Sequence, residues 1–208
     1  MTERGKLFVF EGGLGAGKST LIRMIAPKLG ESWNFYREPG STLFGEMIRD
    51  AVQNNYGFEV HPYGALFAYS AARANLVRGV IIPNLNKGNN IGLDRYWYST
   101  YAYQGAEGVS KPIICLLSYI ATAGLKPDFV IHYDLLPEIG IQRKNKEYVS
   151  DRDRYDTTFG LEFHTEVRKN YYELKKLYSR RWNIIDASGS PEEIHDKTID
   201  LFKAKGIL

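Results

Sequence analysis

The sequence has only one cysteine, Cys115, among its 208 residues. A single thiol can form neither an internal disulfide nor a zinc site built from cysteines, and this usage is typical of a reducing compartment. Because Cys115 lies in the apolar run Ile113 to Leu117, we expect it to be a small buried hydrophobic side chain rather than a reactive one.

The sequence also lacks a long apolar run and a surplus of charge of one sign. No uninterrupted run approaches the roughly 18 residues that cross a membrane, and no basic segment followed by an apolar stretch opens the sequence. The net charge is +3, from 27 basic and 24 acidic residues, which is too balanced for a protein that coats DNA. We therefore expect a cytoplasmic protein with no nucleic-acid or membrane partner, and a small anion as its ligand.

The sequence does contain short apolar runs that alternate with helical patterns, which is typical of strand–helix–strand units around a parallel sheet. The predicted strands are Leu7 to Phe10, Phe35 to Glu38, Asn90 to Asp94, Phe129 to Tyr133 and Asn183 to Asp186. The predicted helices are Lys18 to Leu29, Phe44 to Gln53, Tyr63 to Leu85, Lys111 to Ala123, Glu138 to Lys144, Phe159 to Tyr178 and Pro191 to Lys203. We expect a single α/β domain over residues 1–208, with a five-stranded parallel sheet flanked by helices.

The segment from Gly12 to Ser19 reads G-G-L-G-A-G-K-S and matches the phosphate-binding loop pattern G-x-x-x-x-G-K-[S/T]. It follows a predicted strand and opens a predicted helix. In such loops backbone N–H groups and the helix N-terminus face the phosphates. Lys18 adds a positive charge, and the Ser19 hydroxyl can ligate Mg²⁺. A glycine-rich turn without a ligand would rarely match the whole pattern, so the segment predicts binding of a nucleoside triphosphate.

Charged residues follow the second and third predicted strands, at the sheet edge where ligands bind. Asp94 can hold Mg²⁺ or its waters beside the phosphate loop, and Arg95 can bind a phosphate. Arg37 and Glu38 could form an ion pair with no role in ligand binding, or they could contact a ligand, and the sequence favours neither interpretation.

Two further features are ambiguous when taken alone. Tyr69 and Arg73 share one helix face, which in most helices is a packed aromatic beside a solvated arginine. The charged run from Arg143 to Tyr155 fits a solvated loop. Beside a triphosphate loop it also fits a lid, about residues 143–158, whose arginines neutralise the transferred group and whose closure excludes water.

These motifs resemble the thymidylate kinase family of P-loop nucleoside monophosphate kinases, in order and approximate spacing, from Leu7 to about Phe202. The segments that carry the resemblance are the phosphate loop, Arg37-Glu38-Pro39-Gly40, Tyr69-Ser70-Ala71-Ala72-Arg73, Asp94-Arg95-Tyr96 with Ser99-Thr100, and Tyr103-Gln104-Gly105. The resemblance implies a three-layer P-loop NTPase fold. It also implies transfer of the γ-phosphoryl of ATP to dTMP with Mg²⁺, and a homodimer.

The resemblance assigns roles residue by residue. ATP would be bound by Gly13, Gly15, Ala16, Gly17, Lys18, Ser19, Thr20 and Arg143, and Mg²⁺ by Ser19 and Asp94. The acceptor nucleotide would be bound by Glu38, Arg49, Tyr69, Arg73, Arg95, Thr100, Tyr103 and Gln104. Within this set Tyr69 would stack on thymine, Arg49 and Arg95 would bind the acceptor phosphate, and Tyr103 would occupy the space of a ribose 2′-OH. The catalytic set would be Lys18, Asp94, Arg95, Arg152 and Arg154.

The chain departs from the family pattern at two positions. Gly15 stands where some members have an arginine, so the lid arginines Arg152 and Arg154 are predicted to supply that charge. Leu14 stands where the family usually has an acidic residue that contacts the deoxyribose 3′-OH. A kinase of another or modified deoxynucleotide, a deoxynucleoside kinase, and a phosphate-loop protein that binds nucleic acid or protein therefore stay as alternatives.

Overall fold

A computed structural model describes residues 3–54, 56–146 and 154–208, apart from the side chain of Asp156. Its strands are β1 (Leu7–Gly12), β2 (Trp33–Arg37), β3 (Asn90–Asp94), β4 (Phe129–Asp134) and β5 (Trp182–Asp186). They form one sheet in the order β2-β3-β1-β4-β5, and every neighbouring pair is parallel. The predicted five-stranded parallel sheet of a P-loop NTPase is therefore confirmed.

Helices cover both faces of this sheet. They are α1 (Lys18–Leu29), α2 (Leu43–Gln53), α3 (Pro62–Leu76), α4 (Ile82–Asn86), α5 (Trp97–Ala106), α6 (Lys111–Ala121), α7 (Pro137–Lys144), α8 (Arg154–Thr157), α9 (Leu161–Leu177) and α10 (Pro191–Ala204). A π-helical turn, Val77–Ile81, joins α3 to α4, where the sequence predicted one uninterrupted helix. Helix α5 was not predicted.

The apolar side chains of β1 alternate between the two faces of the sheet, which explains why helices cover both faces. Leu7 and Val9 belong to the core beneath α3, α5 and α9, whereas Phe8 and Phe10 belong to the core beneath α1 and α10. Successive side chains of a strand point to opposite faces, and each fully buried side chain of this size contributes roughly 1.5–3 kcal/mol. Both faces of β1 are thus stabilised by burial, as in a three-layer fold.

The strand register brings the polar strand ends together. Phe10 of β1 pairs with Asp94 of β3, and Arg37 of β2 pairs with the same residue from the other side. The backbone N–H of Glu38 donates to the Asp94 carbonyl at 2.9 Å. The segments that leave β1, β2 and β3 therefore meet at one edge of the sheet.

The continuous helical segment Pro62–Asn86 reaches a mean hydropathy of 1.2 over an 18-residue window, so by length and composition alone it could cross a membrane. From the sequence we expect no uninterrupted apolar run of membrane-spanning length. This helical segment is not such a run, because Ser70, Arg73 and Asn75 interrupt its apolar residues. Half of the window is buried inside the protein, as it is in the core helices of soluble proteins.

Candidate active site

The phosphate loop between β1 and α1 has the backbone that its glycines predict. Gly15 and Gly17 have φ values of +64° and +74°, a region that other residues rarely adopt. Lys18 is buried, and its Nζ donates to the Gly12 carbonyl at 3.0 Å and to the Gly13 carbonyl at 3.5 Å. Burial, and then the positive charge of Arg95, lower the pKa of Lys18 to about 7. An incoming phosphate would offer this ammonium a better partner than two neutral carbonyls.

Helix α7 packs against the phosphate loop through two glycines. A Cβ built on Gly15 would lie 2.6 Å from the carbonyl oxygen of Gly140 and 2.8 Å from its Cα. One turn later, Arg143 donates to the Gly15 carbonyl at 3.3 Å and to the carbonyls of residues 187–189 at 2.9 to 3.1 Å. An arginine at position 15 has no room here, which accounts for the glycine.

Ser19 and Asp94 supply an oxygen site beside the phosphate loop. The Ser19 hydroxyl donates to Asp94 Oδ2 at 3.1 Å, and Asp94 Oδ1 is buried without a hydrogen-bond partner among the described residues. Mg²⁺ prefers oxygen ligands and usually keeps several waters and phosphate oxygens. Within the described ranges no group of three or more His, Cys, Asp or Glu residues could hold a metal by itself. The hydroxyl, the carboxylate and a bound triphosphate together fit Mg²⁺.

Arg95 directly follows β3 and adopts a left-handed backbone, with φ of +69°. Its Nη1 donates to the Ser99 hydroxyl at 2.9 Å and to the Gly12 carbonyl at 3.4 Å, and its guanidinium lies 5.3 Å from the centre of the Tyr103 ring. Because Lys18 contacts the same Gly12 carbonyl, the two cations lie side by side at the end of β1.

A buried ion pair joins Glu38 to Arg73, with 2.5 Å between Oε2 and Nε and each side chain less than 5% exposed. Arg73 Nη2 also donates to the Thr100 hydroxyl at 2.9 Å. Burial raises the pKa of Glu38, and Arg73 opposes that shift. Among the described residues, Glu38 Oε1 and Arg73 Nη1 have no partner. An acceptor and a donor are therefore available to a ligand at the same point.

Arg37 forms a separate ion pair with Glu46, at 2.8 Å between Nη2 and Oε2. Both side chains are exposed, so this pair fits the interpretation of a surface ion pair that does not contact a ligand. Glu38, its neighbour in sequence, belongs to the buried pair.

These groups line one cavity of about 560 Å³. Of the predicted site residues, its wall includes Gly13, Gly15, Ala16, Gly17, Lys18, Ser19, Thr20, Glu38, Arg49, Tyr69, Arg73, Asp94, Arg95, Thr100, Tyr103 and Arg143. The wall also includes residues that the sequence did not single out as ligand contacts: Arg37, Gln53, Ser99, Lys144 and Tyr155. Seven basic and two acidic side chains line the cavity within the described residues, a charge balance that favours anionic ligands.

Gln104 and Arg154 lie behind Tyr155 rather than on the described cavity wall. The Gln104 amide donates to the Tyr155 hydroxyl at 2.8 Å and to Glu107 at 2.8 Å. Arg154 donates to Glu107 at 2.9 Å and to the Val60 carbonyl at 3.1 Å.

The predicted contact of Gln104 with the acceptor nucleotide therefore requires Tyr155 to move. The predicted contact of Arg154 with the transferred phosphoryl requires its ion pair with Glu107 to break. Arg152 and residues 147–153 of the predicted lid lie outside the described residues.

The family model for thymidylate kinase matches residues 10–198 of the chain. The chain belongs to the thymidylate kinase family. It is 34% identical to the thymidylate kinase of Thermoanaerobacter sp. (strain X514) over 204 residues, which cover 96% of this chain and 98% of that protein. It is 37% identical to that of Pelodictyon phaeoclathratiforme over 207 residues, 94% of each chain, and 35% identical to that of Deinococcus radiodurans over 196 residues, 92% and 93%. The predicted family and its class, an ATP-dependent kinase, are confirmed.

Proposed function

We propose that this thymidylate kinase family member transfers the γ-phosphoryl of ATP to dTMP and releases ADP and dTDP. One observation carries the proposal: the phosphate loop and the Glu38–Arg73 pair with Tyr69 line one and the same cavity. Arg95, which can bind a phosphate, lines the same cavity. A cavity of this kind suits two anionic substrates that meet end to end.

At the donor end, the backbone N–H groups of residues 13–20 bind the ATP phosphates, and Lys18 neutralises charge on the outer ones. Ser19 and Asp94 would hold Mg²⁺, which would supply positive charge against the charge that develops on the phosphates. Arg143 fixes α7 and the loop after β5 against the phosphate loop, and so shapes the donor end of the site.

At the acceptor end, Arg49 and Arg95 bind the phosphate of dTMP, and the ring of Tyr69 stacks on the base. Arg73 Nη1, a buried donor with no partner among the described residues, fits a carbonyl oxygen of thymine. Thr100 holds Arg73 in place from the other side. Two arginines for the acceptor suit an acceptor that is already charged, which favours a nucleotide over a nucleoside.

The transferred group needs positive charge that Gly15 cannot supply. Lys144, at the end of α7, lines the cavity, and its charge helps to lower the pKa of Lys18. We assign Lys144 to the transferred phosphoryl, together with the lid arginines Arg152 and Arg154 once the lid has closed. Phosphoryl transfer spreads charge over three oxygens, so several cations can contribute.

The protein works as a homodimer through an apolar face formed by α2, α3 and α6. Its exposed side chains are Leu43, Phe44, Met47, Phe67, Ile113, Leu116, Tyr119 and Ile120, and α3 packs against both α2 and α6. Cys115, which was predicted to be buried, is exposed on α6 because that helix turns much of its apolar run outward. Exposed apolar side chains on neighbouring helices are typical of protein interfaces, and a second copy of the chain covers them.

Leu116→Glu tests the dimer, since it places a charge in the centre of α6 without touching the cavity. Sedimentation should show a dimer for the unmodified protein and a monomer for the variant. Leu177→Glu, at an equally exposed leucine at the end of α9, is the matched control and should stay dimeric. A monomeric unmodified protein at micromolar concentration would refute the assignment.

We assign the protein to the cytoplasm, with ATP and dTMP as ligands and no nucleic acid or membrane.

A substrate panel tests the proposed function. Purified protein with Mg²⁺ and ATP is incubated with thymidine, dTMP, dUMP, dCMP and dGMP, and the products are separated by chromatography. We expect dTDP from dTMP as the main product, and no product from Lys18→Ala, which should remain folded. Turnover of thymidine instead would favour a deoxynucleoside kinase. Stimulation of ATP hydrolysis by DNA but not by dTMP would favour the nucleic-acid alternative.

A further inference from the structure

Arg95 has a left-handed backbone conformation, with φ of +69°, which residues with a side chain rarely adopt. A left-handed backbone is unfavourable for any residue other than glycine and persists only where neighbouring contacts fix it. Here the Arg95 N–H donates to the Phe10 carbonyl at 2.9 Å, and the next N–H, that of Tyr96, donates to Glu11 Oε1 at 2.8 Å. Two consecutive residues of β1 therefore hold the backbone on either side of Arg95.

The same Glu11 also orients the partner of the Arg95 side chain. Glu11 Oε2 lies 2.7 Å from the Ser99 hydroxyl and 3.0 Å from the Tyr171 hydroxyl. The Ser99 hydroxyl donates to Glu11 Oε2, so the Ser99 proton points at that carboxyl group. The Ser99 oxygen then presents a lone pair, and Arg95 Nη1 donates to it at 2.9 Å.

This group is buried and lies behind the cavity. Glu11 and Tyr171 are both 0% exposed, and neither lines the large cavity, whereas Arg95 and Ser99 do. Burial raises the pKa of Glu11, and the three donors that converge on its two oxygens, together with the positive charge of Arg95, oppose that shift. The substrates cannot touch Glu11 or Tyr171, so these residues act on catalysis through the groups that they face: Arg95, Ser99 and, through the charge of Glu11, Lys18.

We infer that Glu11 and Tyr171 are positioning residues that fix Arg95 for the 5′-phosphate of the acceptor nucleotide. The inference deepens the proposed function and rests on its assignment of Arg95 to that phosphate. It predicts a loss confined to ligands that carry the phosphate, because the contacts to the base and sugar come from other residues.

The test compares two ligands, dTMP and thymidine, which differ only by the phosphate. Dissociation constants are measured by calorimetry for the unmodified protein, Glu11→Gln and Tyr171→Phe. Tyr133→Phe is the matched control, since Tyr133 is equally buried but its hydroxyl pairs with Thr198 on the other side of the sheet. Tyr171→Phe keeps the inference testable if Glu11→Gln fails to fold.

Losing one hydrogen bond to a charged group typically costs about tenfold to a hundredfold in an equilibrium constant, and a positioning residue passes only part of that loss on to the ligand. We therefore expect dTMP to bind about threefold to tenfold more weakly to Tyr171→Phe and at least about tenfold more weakly to Glu11→Gln. Thymidine should bind all four proteins within about twofold. The KM for ATP should not change in Tyr171→Phe, because that variant keeps the charge of Glu11 near Lys18.

An equal loss for dTMP and thymidine would overturn the inference, because it would show a general structural role. No loss in Tyr171→Phe would also overturn it. An unmodified protein that binds neither ligand would refute the proposed function itself, and this result is distinct from the other two.

Discussion

The contact between Gly15 and Gly140 joins the phosphate loop to α7, and Gly15→Ala would break it. A methyl group at position 15 would meet the Gly140 carbonyl oxygen at 2.6 Å and its Cα at 2.8 Å. Both are backbone atoms of a helix, so neither can rotate away. We predict that Gly15→Ala destabilises the nucleotide-free protein and loosens α7 from the phosphate loop.

A comparison with Gly17→Ala separates the cost of the left-handed backbone from the cost of the steric contact with Gly140. Gly17 has almost the same left-handed φ, +74° against +64°, but a Cβ at Gly17 would meet nothing within 4 Å. The left-handed backbone costs an alanine roughly 1–2 kcal/mol at either position. Overpacking adds about 1–3 kcal/mol at position 15 alone. The expected losses are therefore about 2–5 kcal/mol for Gly15→Ala and about 1–2 kcal/mol for Gly17→Ala.

Urea denaturation without nucleotide measures the two losses, and the melting temperature should fall by about 2–4 °C for each kcal/mol. Hydrogen exchange at residues 137–144 tells local detachment of α7 from global unfolding. Equal destabilisation of the two variants, with unchanged exchange in α7, would show that the contact between the two glycines does not exist in solution.

Three further predictions concern the cavity. The pKa of Lys18 is about 7, and a bound phosphate favours its charged form, so Mg·ATP should bind with uptake of a proton above pH 7 and more weakly as the pH rises. Calorimetry in two buffers should detect this proton uptake in the unmodified protein and not in Lys18→Arg. Tyr103→Ala should relax the preference for deoxyribose acceptors, and equal turnover of dTMP and its ribose counterpart by the unmodified protein would refute the steric role of Tyr103. Lys144→Ala should lower kcat by at least about tenfold, whereas Lys146→Ala, an exposed neighbour, should leave it unchanged.

The sequence predicted the sheet and α1 well because their signals are local. The bounds of α1, Lys18–Leu29, follow from a glycine-rich start and an amphipathic pattern, and those of β3 follow from a short apolar run. Helix α5 gave no such signal. Its sequence W-Y-S-T-Y-A-Y-Q-G-A is rich in β-favouring aromatic residues, and burial against α9 overrides that preference.

The acceptor end was only partly predictable, because its supporting contacts join distant parts of the chain. Motif residues such as Arg73 and Thr100 could be assigned, since each belongs to a recognisable segment. Tyr171 is 160 residues from Glu11 and carries no motif of its own, and only the packing of α9 brings it to the end of β1. The position of Arg154 likewise depends on Glu107, a carboxylate that no sequence pattern pairs with it.

Leu14 is the departure from the family pattern with the clearest consequence for substrate choice. It is 8% exposed and lines the large cavity on one side. On its other side it borders a small cavity of about 10 Å³, together with His132, Asp134 and Arg168. An apolar side chain at this wall offers a sugar hydroxyl no hydrogen-bond partner.

A site that hydrogen-bonds a substrate hydroxyl can reject an analogue without it by roughly 10⁴, because the buried polar group is left unpaired; an apolar wall discriminates far less. We therefore expect the unmodified protein to use 3′-deoxy-dTMP nearly as well as dTMP, and Leu14→Asp to prefer dTMP. The measurement is kcat/KM for both nucleotides, with Leu14→Met as the apolar control of similar volume. Leu14→Met should keep the ratio of the unmodified protein, because it adds no acceptor. If Leu14→Asp folds and its ratio is also unchanged, position 14 does not face the sugar, and recognition of the 3′ position belongs to another residue of the wall.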